Sequence, residues 1–466
     1  MSARRTVRTA MLALLIGLAG CAEAAGFALI EQSASGMGNA LAGMGVGSDD
    51  PSSQYFNPAT MAFMNQGTQL TLGGHVIAPT ATLNNERAYN ATTGFGHAVV
   101  SGHGGGNAGS LTFVPNLYVK TDFNDDVALG LGVTVPFGLS TEYRDGWAGR
   151  YHALASTVET INVNPAVSWK LNERFSIGGG VSVQYVKAKL TNAVDSGSTC
   201  LGLVARGLVA GASCAANGLL TPGNAATDSY VKLEAEDISF GFNLGVLFKP
   251  NQQTTLGLAY RSMIEQNVEG KAKFKKSAGL NAVLSGSANP LVNRQLANTD
   301  IQAQVDLPEN ISLSGAFQAT PDLELLADVT WTNWSRFKEL RIIFDNPVQA
   351  DGVTTENWDD SWRYSIGANY QLNPSVTLRT GIAYDETVVA DKQHRTPRIP
   401  DQNRTWLAFG TSWAMSPTNK LDVGYAHLFI KDVKLNNTTE SSVKHNLSGE
   451  YNASVDILSM QLTHSF

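Results

Sequence analysis

The sequence predicts a transmembrane antiparallel β-barrel, all-β, of about 14 strands with an N-terminal plug in its lumen. Three observations predict it. Alternation of period two runs from residue 68 onward. After the N-terminus, no apolar run approaches the roughly 18 residues that a spanning helix needs. The last strand closes on Phe466. A chain that crosses lipid without helices can satisfy its backbone only as a closed barrel.

The alternation is clear in several segments. Ile238, Phe240, Phe242, Leu244, Val246 and Phe248 alternate with small or polar residues. Trp362, Tyr364, Ile366, Ala368 and Tyr370 do the same, as do Val127, Leu129, Leu131, Val133 and Val135. One face suits lipid and the other a lumen. A soluble sandwich also alternates. The strands here are long, and tryptophan pairs sit at their ends: Trp331 and Trp334, Trp358 and Trp362, Trp406 and Trp413. Such girdles belong at a lipid–water interface. Short turns such as Asn172-Glu173, Pro250-Asn251 and Asn373-Pro374 are expected at the periplasmic end. The long connections 79–109, 139–155, 191–228, 271–299, 345–355, 387–401 and 436–450 are expected at the other end. Of these, 191–228 and 271–299 are rich in Leu, Ala, Val and Gly. That composition suits short helices packing on each other, a greasy landing surface, or both.

The first 24 residues read as an export signal. Arg4, Arg5 and Arg8 precede a short apolar stretch, and Ala22-Glu23-Ala24 offers a cleavage site. Leu18-Ala19-Gly20-Cys21 is a rival lipidation site. Loss of residues 1–24 removes three Arg and Glu23, which takes the formal charge from −7 to −9. A mildly acidic chain does not suit nucleic acid. Cys200 and Cys214 then remain as an even pair in an exported chain. A disulfide is expected, with two unpaired thiols as the alternative.

Residues 25–66 lack alternation and carry Gly36, Gly38, Gly43, Gly45 and Gly47; they suit a plug ahead of a barrel over 67–466. No nucleotide loop fits, because no strand precedes them. No G-x-S-x-G occurs, and the eight His show no metal spacing. An enzyme, a cofactor or a metal is not expected.

At Pro136-Phe137-Gly138 an otherwise regular strand is interrupted. Proline cannot donate to a ladder and glycine permits a bulge. The residues alone leave a kink and a strand terminus equally open.

The chain resembles the long-chain fatty acid transport proteins of the outer membrane, the FadL family, from about Ala25 to Phe466. The resemblance rests on Ala25-Gly26-Phe27, on Asn57-Pro58-Ala59, and on Phe137-Gly138-Leu139-Ser140-Thr141-Glu142-Tyr143. Trp331-Thr332-Asn333-Trp334-Ser335, Tyr384-Asp385-Glu386-Thr387 and Ile399-Pro400-Asp401-Gln402-Asn403-Arg404 complete it. It implies a plug bearing the Asn57, Pro58, Ala59 motif and passive uptake of a long-chain fatty acid or another hydrophobic small molecule. Ligand would pass from the extracellular loops to a site near Phe27 and leave sideways at Val135, Pro136, Phe137 and Gly138. Arg341 falls where the family often carries a basic ligand contact; a solvated strand-end charge is the alternative. Asn192, near Lys187 and Lys189, stands where the best-known type has a second Arg. Aromatic hydrocarbons, which lack a headgroup, are ligands of other relatives. The expected partners are the ligand, outer-membrane lipid and the barrel insertion machinery, whose signal the terminal Phe466 resembles. The expected state is a monomer in the Gram-negative outer membrane.

Overall fold

The computed structural model describes residues 26–47, 49–90, 98–437 and 445–466. The export signal expected over residues 1–24 lies outside them. Twenty strand segments make fourteen crossings. The first two are β1 (Gln69–Asn90) and β2 (Thr112–Asp122). The third is broken into β3 (Val127–Thr134) and β4 (Gly138–Glu142). Three long strands follow: β5 (Ala155–Asn172), β6 (Phe175–Val194) and β7 (Ser229–Phe248). The seventh crossing is again in two pieces, β8 (Thr254–Arg261) and β9 (Ile264–Lys275). So is the eighth, β10 (Thr299–Leu307) and β11 (Asn310–Thr320). The ninth is β12 (Leu323–Thr332), continued by a hairpin of β13 (Glu339–Phe344) and β14 (Gly352–Thr355). Then come β15 (Ser361–Asn373), β16 (Val376–Asp385), β17 (Arg404–Ser416), β18 (Asn419–Ile430) with β19 (Val433–Asn437), and β20 (His445–Ser465). All strand pairings among the described residues are antiparallel. β1 pairs with β20 from Gln69–Ser465 to Asn90–His445, which closes the sheet on itself.

The alternation sorts as expected over the membrane-crossing part. Leu72, Phe240, Ile366 and Phe409 point outward and are exposed, while Asn243, Ser365, Ser459 and Gln461 are buried in the lumen. The tryptophan girdle needs correction. Trp362 and Trp413 are outward and exposed, but Trp334, Trp358 and Trp406 are buried. The chain leaves β12 at Thr332 into a 3-10 turn at Trp334–Arg336, which swings Trp334 inward. The Trp406 indole points inward and donates to Asp385 at 2.7 Å.

Outside the membrane the strands keep pairing, and their polarity inverts. On β7, Val231, Leu233 and Ala235 face inward while Lys232, Glu234 and Glu236 alternate with them. On β9, Val268 faces inward between Asn267 and Glu269. These extensions form a wall that is apolar inside and charged outside. Above it, connections 191–228 and 271–299 fold into short helices. Leu203, Leu219, Leu280, Leu284 and Val292 make a small core there, pinned by a Cys200–Cys214 disulfide.

The residues from Gly26 to the start of β1 fold inside the ring. Ser33 caps a turn of helix at Ala34–Met37, its Oγ accepting from the Gly36 amide at 3.1 Å. Asn57 caps the 3-10 turn Pro58–Phe63 by accepting from the Ala59 amide at 3.0 Å. Its amide nitrogen donates to the carbonyls of Gly45, at 2.8 Å, and Val246, at 3.0 Å. Ala59 in turn accepts from Ser168 and Ser176. The Asn57-Pro58-Ala59 motif therefore joins two parts of the plug to β5, β6 and β7.

The barrel makes room for this backbone with glycine. A Cβ on Gly245 would fall on Asn57, one on Gly178 on Ala59, and one on Gly381 on the Asn39 backbone. Ion pairs complete the anchorage. Lys420 lies 3.5 Å from Asp50 and Arg379 lies 3.1 Å from Asp49. We expect Gly381→Val to weaken plug seating by on the order of 1–3 kcal/mol, the usual cost of overpacking. Its thermal transition in detergent should fall, and protease should cut residues 26–66 sooner. A wild-type transition would show that the plug does not bear on that wall.

Candidate functional site

The inverted extensions enclose an apolar cavity of about 110 Å³. It is lined by Leu190, Leu233, Val268, Ile301, Leu340 and similar side chains of β6, β7, β9, β10 and β13. Arg398 is the one cation in its lining among the described residues. Its guanidinium donates to Ser156 Oγ at 2.9 Å and to Asn192 Oδ1 at 3.4 Å. Gln266 also lines the cavity; it is fully buried and its amide has no partner among the described residues.

Phe27 forms the floor. Its ring is 4% exposed and contacts Trp334 at 5.0 Å, Phe137 at 5.9 Å, Trp358 at 5.9 Å and Phe337 at 6.2 Å between centroids. Below these rings lies a second chamber of about 130 Å³, lined by Ala28, Pro136, Phe137 and Trp334 together with polar side chains. The ring cluster separates the two spaces.

Beside the cluster the barrel wall is broken. β2 and β3 pair up to Leu117–Val133. The next contact of these crossings is the bridge Gly109–Thr141. Between them neither edge finds the other. Against β5 the register moves by one residue, from Thr134–Asn162 to Gly138–Glu159, so the break is also a bulge. Thr160 Oγ1 replaces the ladder on that side, accepting from the Phe137 amide at 3.0 Å and donating to its carbonyl at 2.6 Å.

On the other side the plug's N-terminal arm takes the vacated positions. The Leu29 amide donates to the Pro136 carbonyl and the Gly138 amide to the Phe27 carbonyl, both at 2.8 Å. Gln32 Nε2 donates to the Val135 carbonyl at 2.8 Å. Ala28 thus pairs with Phe137 as a strand partner would. Val135 to Gly138 are a break inside a crossing, not its end. What closes the wall is a separate piece of chain.

Over residues 15–466 the sequence matches the family described as outer membrane protein transport protein (OMPP1/FadL/TodX). The chain belongs to this family. It is 31% identical over 419 residues to a long-chain fatty acid transport protein of Escherichia coli O6:H1, covering 89% of each chain. It is 29% identical to outer membrane protein P1 of Haemophilus influenzae, covering 96% of each. A Pseudomonas aeruginosa FadL homologue superimposes with a TM-score of 0.82 at 26% identity, over 95% of this chain and all of that one. The Pseudomonas putida toluene transporter TodX shares the fold, with a TM-score of 0.65 at 18% identity over 95% of this chain and all of that one. The protein is therefore an outer-membrane β-barrel of Gram-negative type.

Two basic side chains that the FadL resemblance brought forward do not meet the cavity. Leu340 and Ile342 line it, so strand alternation sends Arg341 to the opposite face. There its guanidinium is held by Glu339 at 2.7 Å and Asp351 at 3.2 Å. Lys189 is turned outward in the same way, between the inward Ala188 and Leu190. Asn192 keeps an inward place and touches Arg398. Sequence reasoning misses Arg398 itself, although it adjoins the Ile399-Pro400-Asp401 stretch. The signal that finds it is the polarity inversion, which marks where the apolar face turns inward.

One plug group has an unusual environment. Glu31 lies between Leu29 and Gln32 on the arm and is fully buried; neither carboxylate oxygen has a partner among the described residues. Arg404, Arg363 and Asp385 are the charged groups around it. Burial outweighs the two arginines and raises its carboxyl from 4.5 to about 7. The folded state then binds this proton more tightly than the unfolded state, so stability is highest below about pH 4.5 and falls as pH rises toward 7. We expect arm and plug to loosen from pH 5 to pH 8. The loss is at most on the order of 3 kcal/mol, because each tenfold difference in proton affinity between the two states is worth ~1.4 kcal/mol. Glu31→Gln should flatten that slope in thermal melts; an unchanged slope would assign it to other groups.

Proposed function

We propose that this protein carries long-chain fatty acids, or closely related amphiphiles, across the outer membrane without energy input and releases them sideways into lipid. The observation that carries the reading is the continuity of its parts. An apolar cavity with one lining cation ends at an aromatic floor, and that floor adjoins a wall break closed only by the plug's arm. Each methylene removed from water contributes about 0.8 kcal/mol, so an acyl chain favours this path over a hydrated pore. The helical connections above, with Leu220 and Leu291 exposed, supply a first apolar surface. Arg398 meets the carboxylate, helped by Asn192 and Gln266. Phe27 and the arm then withdraw from Phe137, and the chain passes between β2 and the broken third crossing. The close seating of the plug on the barrel glycines and its ion pairs keep the rest of the lumen shut meanwhile.

A second reading is an aromatic-hydrocarbon channel, as the name of the Pseudomonas putida relative suggests. Arg398 is the one cation among the polar side chains of the lining, which include Gln266 and Glu356, and it favours a charged headgroup. Arg398→Ala should weaken oleate binding by on the order of 1.5–3 kcal/mol, the worth of a charged hydrogen bond, and leave 1-octadecene binding unchanged. Unchanged oleate binding would favour the hydrocarbon reading, and equal losses for both ligands would mean that Arg398 acts only on structure. Exit is tested separately. Ala28 and Phe137 are flanked by their hydrogen bonds, a geometry that brings Cα atoms to about 4.5 Å, within disulfide range. Oxidised Ala28→Cys/Phe137→Cys protein should bind oleate yet fail to transport it until reduced. Transport through the locked form would mean that ligand leaves by the periplasmic end.

A further inference from the structure

The chamber below the aromatic floor has a layered wall. Asn243, Arg261, Asn310, Thr332 and Ser361 are cross-strand partners in succession on β7, β8, β11, β12 and β15. All five line the chamber at one level. Just above it, β8 gives way to β9, β10 to β11, and β12 to its turn, and the lining becomes apolar at Leu307 and Phe337. A ring of hydrogen-bonding side chains thus sits directly beneath the apolar cavity and beside Pro136 and Phe137.

Two donors in this ring are unspent. Arg261 Nη2 donates to the Tyr55 carbonyl at 2.5 Å, and its guanidinium lies 4.3 Å from the Tyr55 ring centroid. Its Nη1 is buried without a hydrogen-bond partner among the described residues. Asn243, on the paired position of the next strand, is 2% exposed. Its Oδ1 accepts from Asn164 at 2.9 Å, and its Nδ2 has no partner among the described residues. The plug holds Arg261 in place while one edge of its guanidinium stays unused. The acids that line the chamber are already engaged. Asp385 pairs with Arg363 at 2.9 Å and accepts from Trp406, and Asp328 accepts from Ser314 and from Thr330. Buried donors left unpaired are costly, and a carboxylate has two oxygens to offer them.

We infer that Arg261 and Asn243 form a second carboxylate subsite, separate from Arg398, that receives the head of an acyl ligand after it passes the aromatic floor. This rests on the acyl-transport reading above. About 130 Å³ holds a headgroup and a few methylenes but not a long chain. The rest of the ligand must lie among the rings or in the wall break. The subsite lets the charged end leave Arg398 without entering an apolar space unpaired.

The test uses the full mature chain in detergent and oleate labelled with carbon-13 at its carboxyl. Wild-type protein should show two bound carboxyl resonances. Arg398→Ala should abolish one and Arg261→Met the other, with Asn243→Ala shifting the second and Arg261→Lys retaining it. Heat-modifiable migration establishes that each variant is folded. A single resonance lost only with Arg398 would overturn the subsite and leave the transport reading standing. A single resonance lost only with Arg261 would keep the subsite and overturn the role of Arg398. If Arg261→Met fails to fold, loss or persistence of the second resonance on Asn243→Ala decides. In reconstituted vesicles, Arg261→Met should slow oleate transport about tenfold and leave 1-octadecene transport unchanged. Equal slowing of both would mean that Arg261 only supports Tyr55.

Discussion

In hydrocarbon, a backbone amide or carbonyl without a partner costs several kcal/mol, and that constraint organises this molecule. The fourteen crossings exist to close one ladder, from β1 round to β20. The break between β2 and the third crossing departs from that requirement, and the chain meets it there by substitution. Where β2 and the third crossing part, Thr160 and the arm from Phe27 to Gln32 supply the missing partners. The hydrogen bonds that seal the wall are thus made by a segment that is not part of the wall. At this break the backbone is satisfied by a short arm and not by a neighbouring strand.

The arm and the body of the plug are anchored differently. The body of the plug lies backbone-close to the barrel over Gly178, Gly245 and Gly381, and it is tied by Lys420, Arg379 and the Asn57 amide. Displacing it would expose many buried polar groups at once. The arm meets the barrel through three hydrogen bonds at the break, through the Tyr118 hydroxyl, which donates to the Gln32 carbonyl at 2.8 Å, and through the packing of Phe27 and Leu29. Its one buried acid, Glu31, carries no hydrogen bond to hold it among the described residues.

The polarity inversion of the strands links sequence to path. Within the membrane, apolar residues face out because lipid is outside. Above it, water is outside, and the same alternation presents charge outward and apolar side chains inward. β7 shows both halves in one strand: Phe240, Phe242 and Leu244 outward, then Val231, Leu233 and Ala235 inward. The interior of the extracellular extension is thereby apolar without any change of secondary structure. The polar level at Arg261 marks where that regime ends.

The sequence by itself determined the barrel, its strand number, the plug, the Cys200–Cys214 pair and the interruption at Pro136, Phe137 and Gly138. Each of these follows from a local or periodic signal: alternation, a lack of alternation, an even cysteine count, and residues unsuited to a ladder. The polar side chains that line the cavity were not legible in the same way. Arg341 and Lys189 carry the right charge, but which face of a strand looks inward depends on its register, and register is set by pairing partners far away in the chain. Arg398 becomes visible only when the connection after β16 is laid over β5 and β6. The tryptophans at 334, 358 and 406 look like girdle residues, but the turn after β12 swings Trp334 inward, Trp358 packs against it ahead of β15, and Trp406 lies on the inward face of β17. Whether Pro136 ends a strand or interrupts one likewise depends on contacts distant in the chain. The answer lies in an arm more than a hundred residues earlier, whose backbone completes the ladder that the proline leaves unfinished.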